Sequence, residues 1–196
     1  MKKKVLFAIE SLAGGGAEKI LVTIVKNIDK TKFDITVLTV VKTGVYVEEV
    51  EKYCAIEAYQ PQYSMVDRKW EQLIRWACAQ KMGVMTYGTL GGGILTGKYR
   101  ELKEYGVDDN RNRFYPYFKE PLFSKAMELL TIMDQIAEER NVSLAQIAEK
   151  WVIQKRFVSS CIIGAQSRAR VEENCRNLQW ELTDNEIRRL ESVRIL

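Results

Sequence analysis

Glycine-rich stretches are the first parts of this chain that could do chemistry, because glycine lets the backbone approach a phosphate and donate N–H groups to it. The sequence GGGAE at 14–18 follows an apolar run and precedes apolar residues at helical spacing. It could therefore hold a phosphate at a helix N-terminus. Lys19 stands at the third glycine position of the pattern GxGxxG, however, and a tight turn from strand to helix explains the same residues.

A second cluster, YGTLGGGILTGK at 87–98, contains the pattern GxxxxGK from Gly92 to Lys98. In a Walker P-loop the next residue is Ser or Thr, whose compact hydroxyl binds Mg²⁺. Tyr99 occupies that position here, and the pattern does not open directly into a clear helix. We therefore do not expect nucleotide hydrolysis at this cluster.

The absence of histidine from all 196 residues narrows the possible chemistry. It removes the commonest general base, the Ser/His and Cys/His nucleophile pairs, and the usual mixed zinc sites. The four cysteines, Cys54, Cys78, Cys161 and Cys175, form no CxxC pair. We expect them to be reduced residues of the core, and we expect no metal site.

Charge and hydropathy exclude further classes of function. The net charge of +4 is small and dispersed, so neither a nucleic-acid partner nor an anionic membrane is indicated. No apolar run reaches the roughly 18 residues that a membrane helix needs. The start MKKKVLFAIES turns polar before a signal peptide could be completed. These features predict a cytoplasmic protein.

The residues above lie on a predicted alternation of strands and helices. The predicted strands are 4–9, 33–41, 55–60, 83–87 and 157–163. The predicted helices are 20–28, 45–53, 68–81, 122–140, 143–155, 167–178 and 183–193. Ser143 with Gln146 and Thr183 with Glu186 have the spacing of capping boxes. A long ordered loop is expected between Arg100 and Pro121.

This alternation predicts an α/β fold with about five mainly parallel strands. Five strands cannot close a barrel of eight. Two architectures remain: an open doubly wound sheet, with 2-1-3-4-5 as a reasonable strand order, or a partial (β/α)8 barrel. The open edges of a partial barrel would have to be shielded, for which a homodimer is one solution. The four tryptophans lie in or beside helical stretches and are predicted to anchor the core.

Five longer motifs connect the chain to a known family. They are QPQYSMVDR at 60–68, GVMTYGTLGGGILTGKY at 83–99, RNRFYPYFKEP at 111–121, LAQIAEKWVIQK at 144–155 and IIGAQSRARVEEN at 162–174. From about Glu57 to Val193 the sequence resembles the C-terminal half of the aldo-keto reductases, NADP(H)-dependent enzymes built as (β/α)8 barrels. Residues 2–52 are similar to the amino terminus of GT-B glycosyltransferases, chiefly through the GGGAE loop. The sequence thus predicts one chimeric α/β domain over 1–196, with a glycosyltransferase-like βαβα unit at 1–53 and an aldo-keto-reductase-like half barrel at 54–196.

The reductase resemblance implies no catalytic residue in this chain. In the family, a Tyr assisted by Asp, Lys and usually His protonates the carbonyl oxygen, and all four lie in the amino-terminal half. The resemblance therefore implies little or no carbonyl reductase activity here. A ligand-free structural chimera or scaffold is the alternative, and a glycosyltransferase fragment is a third interpretation.

The resemblance also implies a partial site for NADP(H). Gln60 matches the glutamine that hydrogen-bonds the carboxamide, and Tyr87 matches the tyrosine that stacks on the nicotinamide ring. The residues that match the loop against the pyrophosphate are Gly88, Thr89, Leu90, Gly91 and Gly93. Without the resemblance, Tyr87 would be interpreted as an aromatic residue of the core.

At the other end of the cofactor, Gly164 and Gln166 lead into a helix whose N-terminus suits the 2'-phosphate. Arg170 would pair with that phosphate, while Glu173 and Asn174 would reach the adenine. These three side chains could also be a solvated helix face with local ion pairs. Because three strands leave one face of the cofactor open to water, the resemblance implies weak or vestigial binding.

Overall fold

The computed structural model describes residues 2–39, 44–54 and 56–196, and their contacts divide into two compact units. The first unit contains the described residues up to Pro61 together with Gln72–Met85. The second contains Gln62–Glu71 and Thr86–Leu196. The chimeric joint predicted near residues 53–57 therefore lies inside the first unit.

Parallel strands joined by helices form the first unit. In chain order they are β1 (Lys3–Ile9), α1 (Gly16–Asn27), β2 (Phe33–Thr39), α2 (Val47–Glu51), β3 (Ile56–Tyr59), α3 (Glu71–Ala79) and β4 (Gly83–Thr86). Of these elements, only Glu71 and Thr86 belong to the second unit. The predicted strand positions 40, 41 and 55 lie outside the described residues.

The strands pair in the order in which they occur along the chain. β1 pairs with β2 from Lys3 opposite Phe33 to Ile9 opposite Thr39, and β3 pairs with β4 at Tyr59 opposite Val84. All of these pairings are parallel, with an irregularity between Val37 and Leu38. A doubly wound sheet reverses its strand order at a switch point, whereas successive strands of a barrel are neighbours. The order 2-1-3-4-5 is therefore wrong, and the observed order is that of a partial barrel.

An apolar cluster holds the first unit together. Leu21 and Val25 lie one helical turn apart on α1, and both are buried. They belong to one cluster with Val37 of β2, Val50 of α2 and Leu12 of the loop after β1. The β-branched residues of β2 favour a strand, and the i, i+4 spacing on α1 presents one apolar stripe to it.

The second unit is mainly helical. Its elements after β4 are α4 (Asn110–Arg113), α5 (Leu122–Arg140), α6 (Leu144–Ile153), β5 (Ser160–Cys161), α7 (Arg168–Arg176) and α8 (Asp184–Glu191). The expected loop over 100–121 contains the short α4, because the Asp109 carboxylate caps it by accepting the Arg111 N–H at 2.8 Å. β5 is shorter than predicted, since the Val158 N–H donates to the Lys155 carbonyl and closes a turn after α6.

The core of the second unit lies on α5 and α6. Leu129 and Met133 of α5 and Ile147 of α6 are fully buried. Trp151, also on α6, stacks on Tyr63 with a distance of 5.3 Å between ring centroids. Both predicted capping boxes are present, so these helices begin where the sequence places their caps.

Several residues expected in the core are at the surface. Trp70 and Trp76 are 43% and 50% exposed. Trp70 precedes α3, and Trp76 is not one of the buried positions of α3, which are Ile74 and Ala77. All four cysteines are free thiols; Cys175 is exposed and the others are half-buried. In the described part of the chain, no helix is both long and apolar enough to cross a membrane.

Candidate functional site

The carboxyl end of β4 presents Tyr87. Tyr87 is 37% exposed, and its backbone carbonyl accepts a hydrogen bond from the Tyr63 N–H at 3.0 Å. It also pairs with Gln62 in an isolated parallel bridge. In (β/α)8 enzymes the active site lies at the carboxyl ends of the strands. Tyr87 therefore lies at the end of the strand at which such sites are found, and the interpretation as a buried core aromatic is wrong.

The loop after Tyr87 is held closed by its own backbone. The Gly91 N–H donates to the Gly88 carbonyl at 2.8 Å, and the Gly93 N–H donates to the Leu90 carbonyl at 3.0 Å. Gly88, Gly91 and Gly93 have φ angles of +70°, +55° and +95°, a region that glycine enters without steric cost. Two of the N–H groups that could face a pyrophosphate are therefore already hydrogen-bonded inside the loop.

The glycines of this loop are also required by packing. A Cβ atom on Gly91 would lie 2.5 Å from Val66 Cγ2 and 3.4 Å from the Tyr117 hydroxyl. Tyr117 is fully buried, and burial raises the pKa of its hydroxyl well above the ordinary value. Thr89 is 3% exposed, and its hydroxyl lies 2.9 Å from Cys161 Sγ. The underside of the loop is thus packed into the second unit.

β5 brings the second predicted segment to the same edge. The Ile162 N–H donates to the Thr86 carbonyl at 2.7 Å, so the segments that follow β4 and β5 start side by side. Gly164 and Gln166 lie in the segment after β5 and are exposed. Ser167 then caps α7, its hydroxyl accepting the Arg170 N–H at 3.2 Å.

Arg170 and Glu173 form an ion pair on the first turns of α7. Arg170 Nη1 donates to Glu173 Oε2 at 2.8 Å. Glu173 Oε1 accepts the Ser143 hydroxyl at 2.5 Å, and the Glu173 carbonyl accepts Gln146 Nε2 at 3.4 Å. Glu173 therefore joins α7 to the start of α6 and at the same time holds the Arg170 guanidinium.

Asn174 has a comparable structural contact, because its Nδ2 donates to the Gly164 carbonyl at 3.4 Å. Its Oδ1 is buried and has no hydrogen-bond partner among the described residues. Asn174 lines a surface pocket of about 370 Å³ together with Cys161 and Cys175. Asn174 thus fixes the turn between β5 and α7 and keeps one acceptor for a further donor.

Gln60, the remaining predicted site residue, lies in the first unit. It is half-buried, and its N–H donates to the Thr39 carbonyl at 3.1 Å, which prolongs the pairing of β2 with β3. The other predicted residues all lie in the second unit. Within that unit the structure brings the Tyr87 loop and the start of α7 to adjacent strand ends.

A buried carboxyl group beneath α7 was not predicted. Glu149 of α6 is 1% exposed, and its Oε2 accepts Asn177 Nδ2 at 2.7 Å, while Oε1 has no partner among the described residues. Burial raises the pKa of Glu149. The hydrogen bond from Asn177 lowers the pKa in part, the negative charge of Glu173 raises it, and the positive charge of Arg170 lowers it. The signal in the sequence is an acidic residue inside the apolar stripe of a helix.

Within the described residues, no group of three or more acidic or cysteine side chains could hold a metal ion.

Comparison with known proteins identifies relatives of this arrangement. The aldo/keto reductase family model matches residues 21–195. Aldo-keto reductase YhdN of Bacillus subtilis is 24% identical over 152 residues, which are 75% of this chain and 46% of that protein. The aldo-keto reductase yakc [NADP(+)] of Schizosaccharomyces pombe is 27% identical over 139 residues, 69% of this chain and 41% of that protein. The chloroplastic pyridoxal reductase of Arabidopsis thaliana is 31% identical over 134 residues, which are 67% of this chain and 34% of that protein.

A solved structure shows the same fold. The glycerol dehydrogenase AKR11B4 of Gluconobacter oxydans superposes with a TM-score of 0.74 at 22% identity, covering 98% of this chain and 58% of that one. The chain spans 34–46% of the length of the curated relatives named above. These comparisons give no support to the glycosyltransferase resemblance of residues 2–52, of which the reductase family model includes 21–52. Because that model matches most of the chain, the protein belongs to the aldo/keto reductase family.

Proposed function

We propose that this chain binds NADP(H) weakly through its second unit and has little or no carbonyl reductase activity of its own. The observation that carries the proposal is the adjacency of two strand ends, one bearing the exposed Tyr87 and the other leading to the capped N-terminus of α7. A (β/α)8 fold places ligands at such strand ends. The Schizosaccharomyces pombe relative carries NADP(+) in its name, which supports the choice of cofactor.

The residues around these strand ends fit the two ends of a dinucleotide. The Tyr87 ring offers an aromatic face to the nicotinamide. The N-terminus of α7 favours an anion, and Arg170 adds a guanidinium that Glu173 holds at the helix surface. Gly164 and Gln166 lie exposed beside that N-terminus. A bound dinucleotide would be a hydride carrier, and the part of these residues would be to bind and orient the dinucleotide.

Weak binding follows from the closed glycine loop. Because the Gly91 and Gly93 N–H groups already donate within the loop, the pyrophosphate gains fewer backbone donors than an open loop would give. Little activity follows from the composition. The chain contains no histidine, and we match no residue of it to the Tyr, Asp, Lys and His of the family.

We further propose that the chain forms a homodimer through an open edge of its sheet. β1 lies at one end of the strand order, none of its residues is fully buried, and Leu6 is 60% exposed. An exposed apolar edge strand is a template for pairing with another chain.

No glycosyltransferase activity is proposed, since β1, α1 and β2 open a sequential parallel sheet in a chain of the reductase family.

The test is a titration of the purified chain with NADPH, followed by tryptophan fluorescence, with NADH in parallel. We expect saturable binding that favours NADPH. Arg170→Ala removes the phosphate partner and is expected to weaken NADPH binding by about 1–3 kcal/mol, roughly 5- to 150-fold, with NADH unaffected.

Arg188→Ala is the matched control, because Arg188 is an exposed arginine of α8 outside the predicted site and its loss changes the net charge equally. We expect it to leave NADPH binding unchanged. An absence of saturable binding at millimolar NADPH would refute the proposal and favour the ligand-free scaffold. Efficient reduction of a carbonyl substrate by the purified chain would contradict the proposed lack of activity.

A further inference from the structure

A second concave site lies on the second unit, apart from the predicted cofactor residues. It is a pocket of about 560 Å³ between the end of α5, the start of α6 and the segment after α7. Its lining includes two arginines, one tryptophan and three side-chain amides, and no carboxylate: Arg140, Asn141, Gln146, Arg176, Gln179 and Trp180. This volume falls in the range of small-molecule sites.

The charges at this pocket are not balanced by its own residues. Arg140 forms an ion pair with Glu186, donating from Nε at 2.6 Å and from Nη2 at 2.7 Å. This pair lowers the pKa of Glu186 to about 2. Arg176 is exposed, and no carboxylate of the described residues forms an ion pair with it. One guanidinium of the lining is therefore left without a carboxylate.

Lys150 of α6 adds a second positive charge behind the aromatic wall. It is 5% exposed, and its Nζ lies 5.6 Å from the centroid of the Trp180 ring. Burial lowers the pKa of Lys150, and the negative charge of Glu181 offsets part of this shift. A buried ammonium group next to the pocket raises the potential that an anion would meet there.

The walls of the pocket are fixed in place. Trp180 Nε1 donates to Asn177 Oδ1 at 3.1 Å, and Asn177 is itself fully buried and bound to α6 through the Gln146 carbonyl at 3.1 Å. Asn141 ends α5 in the left-handed conformation, with a φ of +51°. The indole N–H is therefore already used, so Trp180 can contact a ligand only through its ring.

We propose that this pocket binds a small organic anion that carries an aromatic ring, its carboxylate or phosphate pairing with Arg176 and its ring packing on Trp180. A guanidinium binds both kinds of oxyanion through paired N–H donors. The amides of Asn141 and Gln179 supply further donors at the rim. The site is separate from the proposed dinucleotide site, and either can exist without the other.

Four probes test this proposal by calorimetric titration without dinucleotide: benzoate, phenyl phosphate, inorganic phosphate and benzyl alcohol. Benzoate and phenyl phosphate share a ring and differ in the oxyanion, so their relative affinities identify the preferred group. We expect at least one of them to bind saturably at a single site. Inorganic phosphate, which lacks the ring, and benzyl alcohol, which lacks the charge, are each expected to bind at least 10-fold more weakly.

Variants of the lining complete the test. Arg176→Ala is expected to weaken binding of the better probe at least 10-fold, and Trp180→Phe is expected to weaken it less. Arg188→Ala on α8 controls for the loss of one positive charge and is expected to bind like the parent chain. Equal binding by the parent chain and Arg176→Ala, or no saturable binding of any probe at millimolar concentration, would overturn the proposal. Stronger binding of inorganic phosphate than of phenyl phosphate would show that packing of a ligand ring on Trp180 does not contribute to binding.

Discussion

Gly91 shows how a single residue of the glycine loop serves packing as well as recognition. Its φ of +55° and the 2.5 Å that would separate an added Cβ atom from Val66 Cγ2 both exclude a larger side chain. Gly91→Ala is therefore expected to lower the free energy of unfolding by about 2 kcal/mol or more, through strain and overpacking. The measurement is the urea concentration at the midpoint of unfolding.

Gly106→Ala is the matched control at the residue scale. A Cβ atom on Gly106 would meet nothing within 4 Å, and its φ is not in the left-handed region. We expect its free energy of unfolding to stay within about 0.5 kcal/mol of the parent chain or to rise slightly. If both variants were equally stable, packing would not be the reason for glycine at position 91.

At the scale of elements, Glu149 couples α6 to the segment that follows α7. Because burial raises its pKa in the folded state, folding favours the protonated carboxyl group. Its contribution to stability is therefore present below the ordinary pKa of about 4.5 and is lost as the pH rises through the folded value. Above its ordinary pKa, Glu149, whose Oε1 has no hydrogen-bond partner among the described residues, therefore contributes less to stability than it does in acid.

Glu149→Gln keeps an oxygen for Asn177 and removes the buried titratable group. We expect the free energy of unfolding at neutral pH to rise by about 1–3 kcal/mol, and the difference from the parent chain to vanish at acidic pH. Urea unfolding at several pH values measures this. Glu172→Gln, at an exposed position of α7, should change little at any pH. A Glu149→Gln variant that is less stable than its parent at pH 7 would contradict the expected cost of burying this carboxyl group.

The same scale shows what the sequence can and cannot predict. α5 spans 122–140 as predicted, and the caps at Ser143 and Thr183 are found, because capping and helical periodicity depend on residues close in the chain. The contact from Ser143 to Glu173 crosses 30 positions, and no local pattern encodes it. The prediction makes β5 too long for a related reason: an apolar run does not show where pairing with a neighbour begins.

At the scale of the whole molecule, the exposed β1 edge leads to a prediction of mass. We expect light scattering to give twice the 22.6 kDa of one chain. Leu6→Lys places a charge on the edge strand and is expected to give the monomer, because a lysine there opposes strand pairing. A mass of one chain at all concentrations of the parent protein would rule out the homodimer.

At the same scale, the strands themselves could be predicted from the sequence, whereas the order in which they pair could not. Five strands and their helices can be predicted from hydrophobic periodicity, since each strand is a local run of apolar and β-branched residues. Their sequential order depends on which strands pair, and both orders fit the same local pattern. The exposure of Trp76 could not be predicted for a similar reason, because helical spacing alone does not show which face of α3 is covered.

The hydrogen bonds inside the glycine loop have a kinetic consequence. If an anion is to use the Gly91 and Gly93 N–H groups, their bonds to Gly88 and Leu90 must first open. Two such bonds contribute about 1–3 kcal/mol together, so only a small fraction of molecules has an open loop at any moment. Association through these groups then waits for the opening, and its observed rate levels off at high ligand concentration where diffusion alone would let it keep rising.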